Sequence, residues 1–177
     1  MIRLADVAAF EAWLAANSDS ADEVWVAIAK KGSGILSITA SEAIDVVLCF
    51  GWIDGHRKGL DEKYFLQRYT PRRARSAWSR VNVDRVAALL DQGRMRDSGL
   101  AEVARAKADG RWDAAYLSQA AFVIPEDVDP ALLEGLGKTE QYLAVLPLLK
   151  ARTPAGRERA LTRLRGRTSG RSPEQTS

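Results

Sequence analysis

One cysteine, one histidine and two methionines stand among 177 residues. The lone Cys49 excludes an intrachain disulfide framework and fits a reducing compartment, so a cytoplasmic protein is expected. One histidine (His56) and one cysteine cannot supply the nitrogen and sulfur ligands of a usual zinc site. No metal or cofactor is therefore expected, a carboxylate-only magnesium site at Asp54 and Asp61 being the remaining option. Long apolar runs are also missing. The stretch Ala43–Trp52 is interrupted by Asp45 and is far too short to span a bilayer, so no membrane insertion is expected. Asp6 and Glu11 break the N-terminal stretch where a secretion signal would need an uninterrupted apolar segment, and no export signal is expected. Phosphate-binding loops are lacking: Gly32-Ser33-Gly34 is not followed by the third glycine and helix of a dinucleotide fingerprint. There is no P-loop and no nucleophile elbow.

What is present is the composition of a soluble globular domain, 46% apolar and 28% charged. The length fits one domain, or one domain with an appendage. The net charge of +3 conceals alternating blocks. Residues 1–54 carry three basic and eight acidic side chains, and residues 55–80 carry eight and two. Residues 81–149 return to seven and eleven, and residues 150–171 swing to eight and one. Local basic blocks concern partners rather than fold.

Apolar spacing predicts a first helix with Asp6 as N-cap, Phe10, Trp13 and Leu14 inward and Asn17 at its exit. Val24–Ala29 is a short, almost wholly apolar run, β-branched at alternate positions, and predicts a buried strand. Thr39 and Glu42 form a capping box before a helix closed by Gly51, with Cys49 a small buried hydrophobe within it. Trp52–Lys58 and Lys63–Thr70 predict two strands around a turn at residues 59–62, the second ended by Pro71. Helices follow from Asn82 to Gly93, from Ser98 to Gly110, after Asp129-Pro130, over Lys138–Lys150 with an interruption at Pro147, and from Thr153-Pro154 to about Arg165. Trp112–Phe122 is a further helix or an irregular apolar segment. Trp13, Trp25 and Trp52 are expected in the core, with Trp112 semi-exposed. The expected architecture is α+β. A small antiparallel or mixed sheet of about three strands lies in the N-terminal half, and the C-terminal half is helical. Residues 1–150 make a single domain, 151–167 a weakly docked basic helix and 168–177 a disordered tail.

Several separated motifs occur in one order: Cys49-Phe50-Gly51-Trp52-Ile53-Asp54-Gly55, Leu60-Asp61-Glu62, Thr70-Pro71-Arg72-Arg73, Ser76-Ala77-Trp78-Ser79 with Asn82, Gly93-Arg94-Met95, and Ala106-Lys107-Ala108-Asp109-Gly110-Arg111-Trp112. In these the chain resembles the bacterial YdeI/OmpD-associated family, also labelled bacteriocin-protection proteins, over roughly residues 10–150. The resemblance implies a small bacterial protein associated with stress or antimicrobial-peptide resistance. It implies no reaction and no catalytic residues. The C-terminus departs from the family's longer Ala-Lys-rich helix, with only Leu161-Thr162-Arg163-Leu164-Arg165 similar to it.

The functional candidates concentrate between Gly51 and Asn82. Strand alternation would place Asp54, His56 and Lys58 on one face, with Asp61 in the adjoining turn. An imidazole between carboxylates could serve acid–base chemistry, and the bland alternative is a solvated ion pair on an exposed hairpin. The run Thr70–Arg80 is the stronger candidate. Its guanidinium forks suit phosphate or carboxylate, its serines add donors, its proline stiffens the loop, and Trp78 could stack on a ligand. Lys58, Arg68, Arg72, Arg73, Ser76, Trp78, Ser79 and Asn82 are the expected ligand-binding set, with Asn82 opening a helix whose N-terminus favours anions. The alternative is that Trp78 fills the core while the arginines pair with Asp84, Asp91 and Asp97. Three functions follow. One is a non-enzymatic binder of an anionic small molecule or protein. Another is a nucleic-acid binder using this loop and the basic segment Arg157–Arg171. The third is an enzyme using Asp54 and His56.

Overall fold

The computed structural model describes residues 1–117 and 121–168. The fold is α+β, with a four-stranded mixed sheet in the N-terminal half and six α-helices among the described residues. The strands are β1 (Ile2–Arg3), β2 (Val24–Ala29), β3 (Trp52–Gly59) and β4 (Tyr64–Pro71), in the spatial order β1-β2-β4-β3. β1 lies parallel to β2, and the other pairings are antiparallel. The expected count of about three strands misses β1, which has two residues and no pattern to betray it.

Chain contacts divide the molecule into two compact units. The first comprises Met1–Ser76 and Asn82–Asp113, the second Ala77–Val81 and the chain from Ala114.

In the first unit, α1 (Val7–Asn17) starts where the Asp6 carboxylate accepts from the Ala9 N–H at 2.9 Å. It buries Phe10 and Leu14, and the Phe10 ring lies 5.6 Å from that of Tyr69. The helix α2 (Ala40–Cys49) carries the expected capping box: Thr39 Oγ1 accepts from the Glu42 N–H at 3.2 Å, and Glu42 Oε2 accepts from the Thr39 N–H at 2.8 Å. Its buried stripe of Ala43, Val46, Val47 and Leu48 faces the sheet and α1. Gly51 follows with φ +74°, the left-handed conformation that ends the helix.

Two more helices stack behind. α3 (Arg80–Asp91) buries Val83, Val86 and Leu89, and α4 (Asp97–Ala108) buries Gly99, Glu102, Val103 and Ala106. Both begin earlier than their expected caps. Asn82 lies in the first turn of α3, and Ser98 lies inside α4, whose N-cap Arg96 makes no side-chain capping bond. What fixes α4 is backbone contact: the Arg96 N–H donates to the Cys49 carbonyl at 3.0 Å. Gly99 packs so closely on that carbonyl that a Cβ there would stand 2.2 Å from the oxygen.

In the second unit, the helix expected after Asp129-Pro130 is a short 3-10 helix (Pro130–Leu133), with Asp129 as its N-cap. α5 (Lys138–Leu149) runs through Pro147, which sits in its last turn and so costs little continuity. α6 spans Pro154–Thr168, with Thr153 Oγ1 accepting from the Gly156 N–H at 3.0 Å. The expected weak docking of this basic helix is corrected. Ala160, Leu161 and Leu164 are all buried in a cluster with Val128, Leu133, Ala144, Val145 and Leu148. Three apolar positions at helical spacing suffice because α5 presents a matching stripe. The tail expected to be disordered lies outside the described residues except for Thr168, and part of the expected Trp112–Phe122 segment, residues 118–120, does so as well. Among the described residues no helix is long and apolar enough to cross a membrane.

Candidate functional site

The β3–β4 hairpin sets the geometry. Asp54 pairs with Tyr69, Arg57 with Gln67, and a bulge intervenes in which Gly55 and His56 oppose only Arg68. An extra residue reverses the alternation beyond it. Asp54, His56 and Lys58 therefore do not form one face: past the bulge it is Arg57 that returns to the side of Asp54. Arg57 Nε donates to Gln67 Oε1 at 2.9 Å, and its guanidinium lies over the Phe65 ring at 4.5 Å. Gln67 Nε2 donates to the carbonyls of Gly55 and His56 at 3.0 and 3.3 Å, which fixes the bulge from inside. His56 is exposed.

Asp61 has a structural task. Its Oδ1 accepts from the N–H groups of Lys63 and Tyr64, both at 2.8 Å, and these bonds hold its carboxyl below the usual carboxylate range. The hairpin also separates Asp61 from Asp54. Asp61 caps Tyr64 while Asp54 pairs with Tyr69, five residues further along β4, or roughly 16 Å at the strand rise. The two carboxylates cannot share one magnesium ion, and among the described residues no three His, Cys, Asp or Glu side chains gather into a metal site.

The two faces of the sheet differ sharply. Residues directly paired across strands share a face. Val24, Val26, Ile28, Gln67, Tyr69 and Trp52 look toward α1 and α2. The other face carries Arg3, Trp25, Ala27, Lys58, Tyr64, Leu66 and Arg68. Trp25, expected in the core, is thus on the face away from these helices and only half-buried. The Lys58 ammonium sits 4.5 Å from its ring centroid, and its Nε1 donates to Glu23 at 3.2 Å. Glu23 also takes Arg68 at 2.6 Å. Arg3 lies 4.7 Å over the Tyr64 ring. Exposed contacts of this type stabilise by about 0.5–1 kcal/mol each. A cavity of about 270 Å³ opens beside them, lined by Arg3, Ala27, Leu36, Ser37 and Tyr64 among others. So Lys58 and Arg68 of the expected set lie on this aromatic face, within β3 and β4 rather than in the arginine loop.

The loop itself resolves residue by residue. Arg72 is buried, 6% exposed, and its N–H donates to the Gly51 carbonyl at 3.0 Å, extending the hairpin. It is an interior side chain, not the exposed fork expected. Residues 73–76 form a tight turn: the Arg73 N–H donates to Ser76 Oγ at 3.1 Å, and the Ser76 N–H donates to the Arg73 carbonyl at 2.9 Å. Arg73, Ala74 and Arg75 are exposed on it. The Ser76 carbonyl accepts from Arg111 at 3.1 Å. Arg111 is fully buried and grips Glu102 at 2.9 Å and Asp109 at 2.7 Å. Glu102 also pairs with Arg105.

Trp78 and Ser79 belong to the second unit. Trp78 is 2% exposed, so its indole is interior and not offered for stacking. Ser79 bridges Tyr116, whose N–H donates to the Trp78 carbonyl at 3.0 Å and whose carbonyl accepts from the Arg80 N–H at 2.8 Å. The expected partners Asp84, Asp91 and Asp97 take none of the ion pairs seen among the described residues. The arginines find other carboxylates: Glu23 with Arg68, Asp45 with Arg85 at 2.6 Å and Glu11 with Arg94 at 3.1 Å.

Two other candidates are answered by their surroundings. A cavity of about 460 Å³ lies beside Lys30–Gly34 and the start of α2. Its helix N-terminus is already occupied by Thr39 and the Glu42 carboxylate, whose pKa the Thr39 N–H pulls down. Cys49 is buried, and burial pushes its thiol up, away from the thiolate a nucleophile needs.

Sequence reasoning missed Trp25 and Tyr64 as a surface pair and Arg75 as the companion of Arg73. Arg75 stands in the same basic run, so its signal was present. Trp25 gave none, because its strand is apolar on both faces.

No curated protein and no solved structure matches the chain. A family model does, over residues 2–102, the stretch that holds the whole sheet, the basic turn and the start of α4. With more than half of its length matched, the chain belongs to that family, a domain of unknown function (DUF8412).

Proposed function

We propose that this protein binds an anionic ligand and that the turn of residues 73–76 is its main contact. The observation that carries this reading is the pairing pattern of the first unit. Arg68, Arg85, Arg94 and Arg111 each hold a carboxylate, whereas Arg73 and Arg75 are exposed with no ion pair found among the described residues. Their turn is fixed by Ser76, which in turn is held by Arg111. Two guanidiniums on a preordered turn lose little freedom on meeting a phosphate or carboxylate. The function class is binding, not catalysis. The YdeI/OmpD-like motifs extend the proposal to a bacterial, cytoplasmic role in stress or antimicrobial-peptide resistance.

The test is a thermal-shift and calorimetry screen against inorganic phosphate, pyrophosphate, citrate and a nucleoside monophosphate. At least one should raise the melting temperature of the native chain, and Arg73→Ala with Arg75→Ala should remove that rise. Both residues are exposed, so the double variant keeps its own stability. A rise that survives the double change overturns the assignment to this turn.

A second reading is a nucleic-acid binder. It is favoured by α6, where Arg159, Arg163 and Arg165 are exposed along a helix whose apolar side is already docked. Binding through this helix would weaken steeply with salt.

A further inference from the structure

We infer that the face of the sheet opposite α1 and α2 is a platform for single-stranded nucleic acid, independent of the arginine turn. The register puts Trp25 and Tyr64 on that face with Arg3, Lys58 and Arg68 around them. Trp25 is paired with Arg68 and Tyr64 with Ala29, four residues apart on β2, so the rings stand roughly 13 Å from each other along the strand. Between them on these two strands lie Ala27 and Leu66, both buried, so the floor between the rings is apolar and closed.

Chemistry points to a strand with bases splayed out. Each ring is half-buried and has a flexible cation over it, Lys58 at 4.5 Å from the Trp25 centroid and Arg3 at 4.7 Å from that of Tyr64. A planar base can take the place of either cation, and the displaced cation is then close enough to neutralise the adjoining phosphate. Lys58, Arg3 and Arg68 supply three positive charges against Asp61 beside Arg3 and Glu23, the latter accepting from both Arg68 and Trp25 Nε1. The cavity beside Tyr64, with Ser37 and the 83% exposed Leu36 on its rim, gives a sugar or base edge a polar and an apolar wall. A rigid duplex would present its phosphates to this face but could not bring its stacked bases to the rings. A second protein copy would meet the same positive face with its own, and like charges oppose that pairing.

The experiment uses the full chain and fluorescein-labelled oligo(dT) and oligo(rU) twelve-mers, with a twelve-base-pair duplex as comparison, read by anisotropy at low salt and at two higher salt concentrations. Single strands should bind more tightly than the duplex, and affinity should fall with salt. Trp25→Ala and Tyr64→Ala should each weaken single-strand binding about 10-fold. Lys58→Ala should shallow the salt slope by about one. Trp25→Leu keeps apolar bulk in the sheet without a stacking ring and should show the same loss if Trp25→Ala does not fold. Arg73→Ala with Arg75→Ala should keep the preference for single strand over duplex, which separates this platform from the turn. Equal binding of duplex and single strand, full affinity in the folded Trp25→Leu and Tyr64→Ala variants, or no binding at low salt would each overturn the proposal. So would a shift in sedimentation of the Trp25→Leu variant from dimer to monomer, since the face would then belong to a second copy.

Discussion

Arg111 in the first unit and Arg157 in the second make the same kind of contact under opposite conditions. The Arg111 side chain is 0% exposed and reaches Glu102, itself 2% exposed, together with Asp109 and the Ser76 carbonyl. Arg157 grips both oxygens of Asp127, at 2.7 and 2.5 Å, with 38% and 41% of the two side chains exposed. The better fork geometry is the surface one. Water nevertheless screens it, and its net contribution is small. The buried pair has been stripped of water, so its members depend on each other. The first unit therefore adds a buried polar node under its basic turn to an apolar core that includes Phe10, Leu14, Val46, Val47 and Trp52, whereas the second joins a screened surface pair to the apolar cluster of Leu133, Val145, Leu148, Leu161 and Leu164.

The sharpest way to break this contrast is Arg111→Ala. It leaves Glu102 buried with Arg105 alone and should lower the unfolding free energy by about 3–5 kcal/mol, read by urea denaturation. Glu102→Leu combined with Arg111→Met should recover most of that loss, because the cost lies in the orphaned charge rather than in the absent bond. A loss below about 1 kcal/mol in the single variant would show that solvent reaches the node.

A second test stays in the first unit and removes charge from the comparison. Gly99→Ala places a Cβ 2.2 Å from the Cys49 carbonyl oxygen, a backbone atom that cannot swing aside. The end of α2 must separate from the start of α4, at an expected cost of about 3 kcal/mol. Gly135→Ala in the second unit meets no atom within 4 Å and bears only the strain of its φ of +74°. It should cost about 1–2 kcal/mol. Similar losses at both glycines would mean that the α2–α4 approach is not tight.

These two tests also mark the limit of what the sequence discloses. Local signals carried the fold far. The Asp6 and Thr39 caps, the strand Val24–Ala29, the hairpin and Gly51 all follow from short-range chemistry and stand where expected. What failed is non-local. The bulge at Gly55-His56 depends on Gln67 bonding back across the hairpin, and nothing within β3 announces it. Arg72 and Trp78 stand among exposed-looking basic residues, yet both are interior. Arg111 lies nine residues from Glu102 and 35 from Ser76, and only the fold brings the three together. Charge blocks locate where cations lie along the chain, but burial decides which of them meet a ligand. Thus Arg73 of the expected set is exposed beside Arg75, which that set omitted, while the aromatic sheet face came from strand register alone.

The smallest effect belongs to the second unit's own pair. Arg157 holds the Asp127 carboxyl below its ordinary value of 3.8. A carboxyl depressed in the folded state adds stability that is present above the unfolded value and lost as pH falls through the folded one. The loss should therefore appear only below about pH 4, and because both groups are well exposed it should amount to a few tenths of a kcal/mol. Asp127→Asn should remove this increment at neutral pH and leave the apolar cluster untouched. Arg157→Lys is the more discriminating variant, since it keeps the charge and gives up the two-oxygen grip. If its stability at pH 7 matches the native chain, the pair acts as two screened charges. A loss above about 1 kcal/mol would place the pair in the same class as Arg111 and Glu102, and the contrast between a buried polar node in the first unit and a screened surface pair in the second would have to be abandoned.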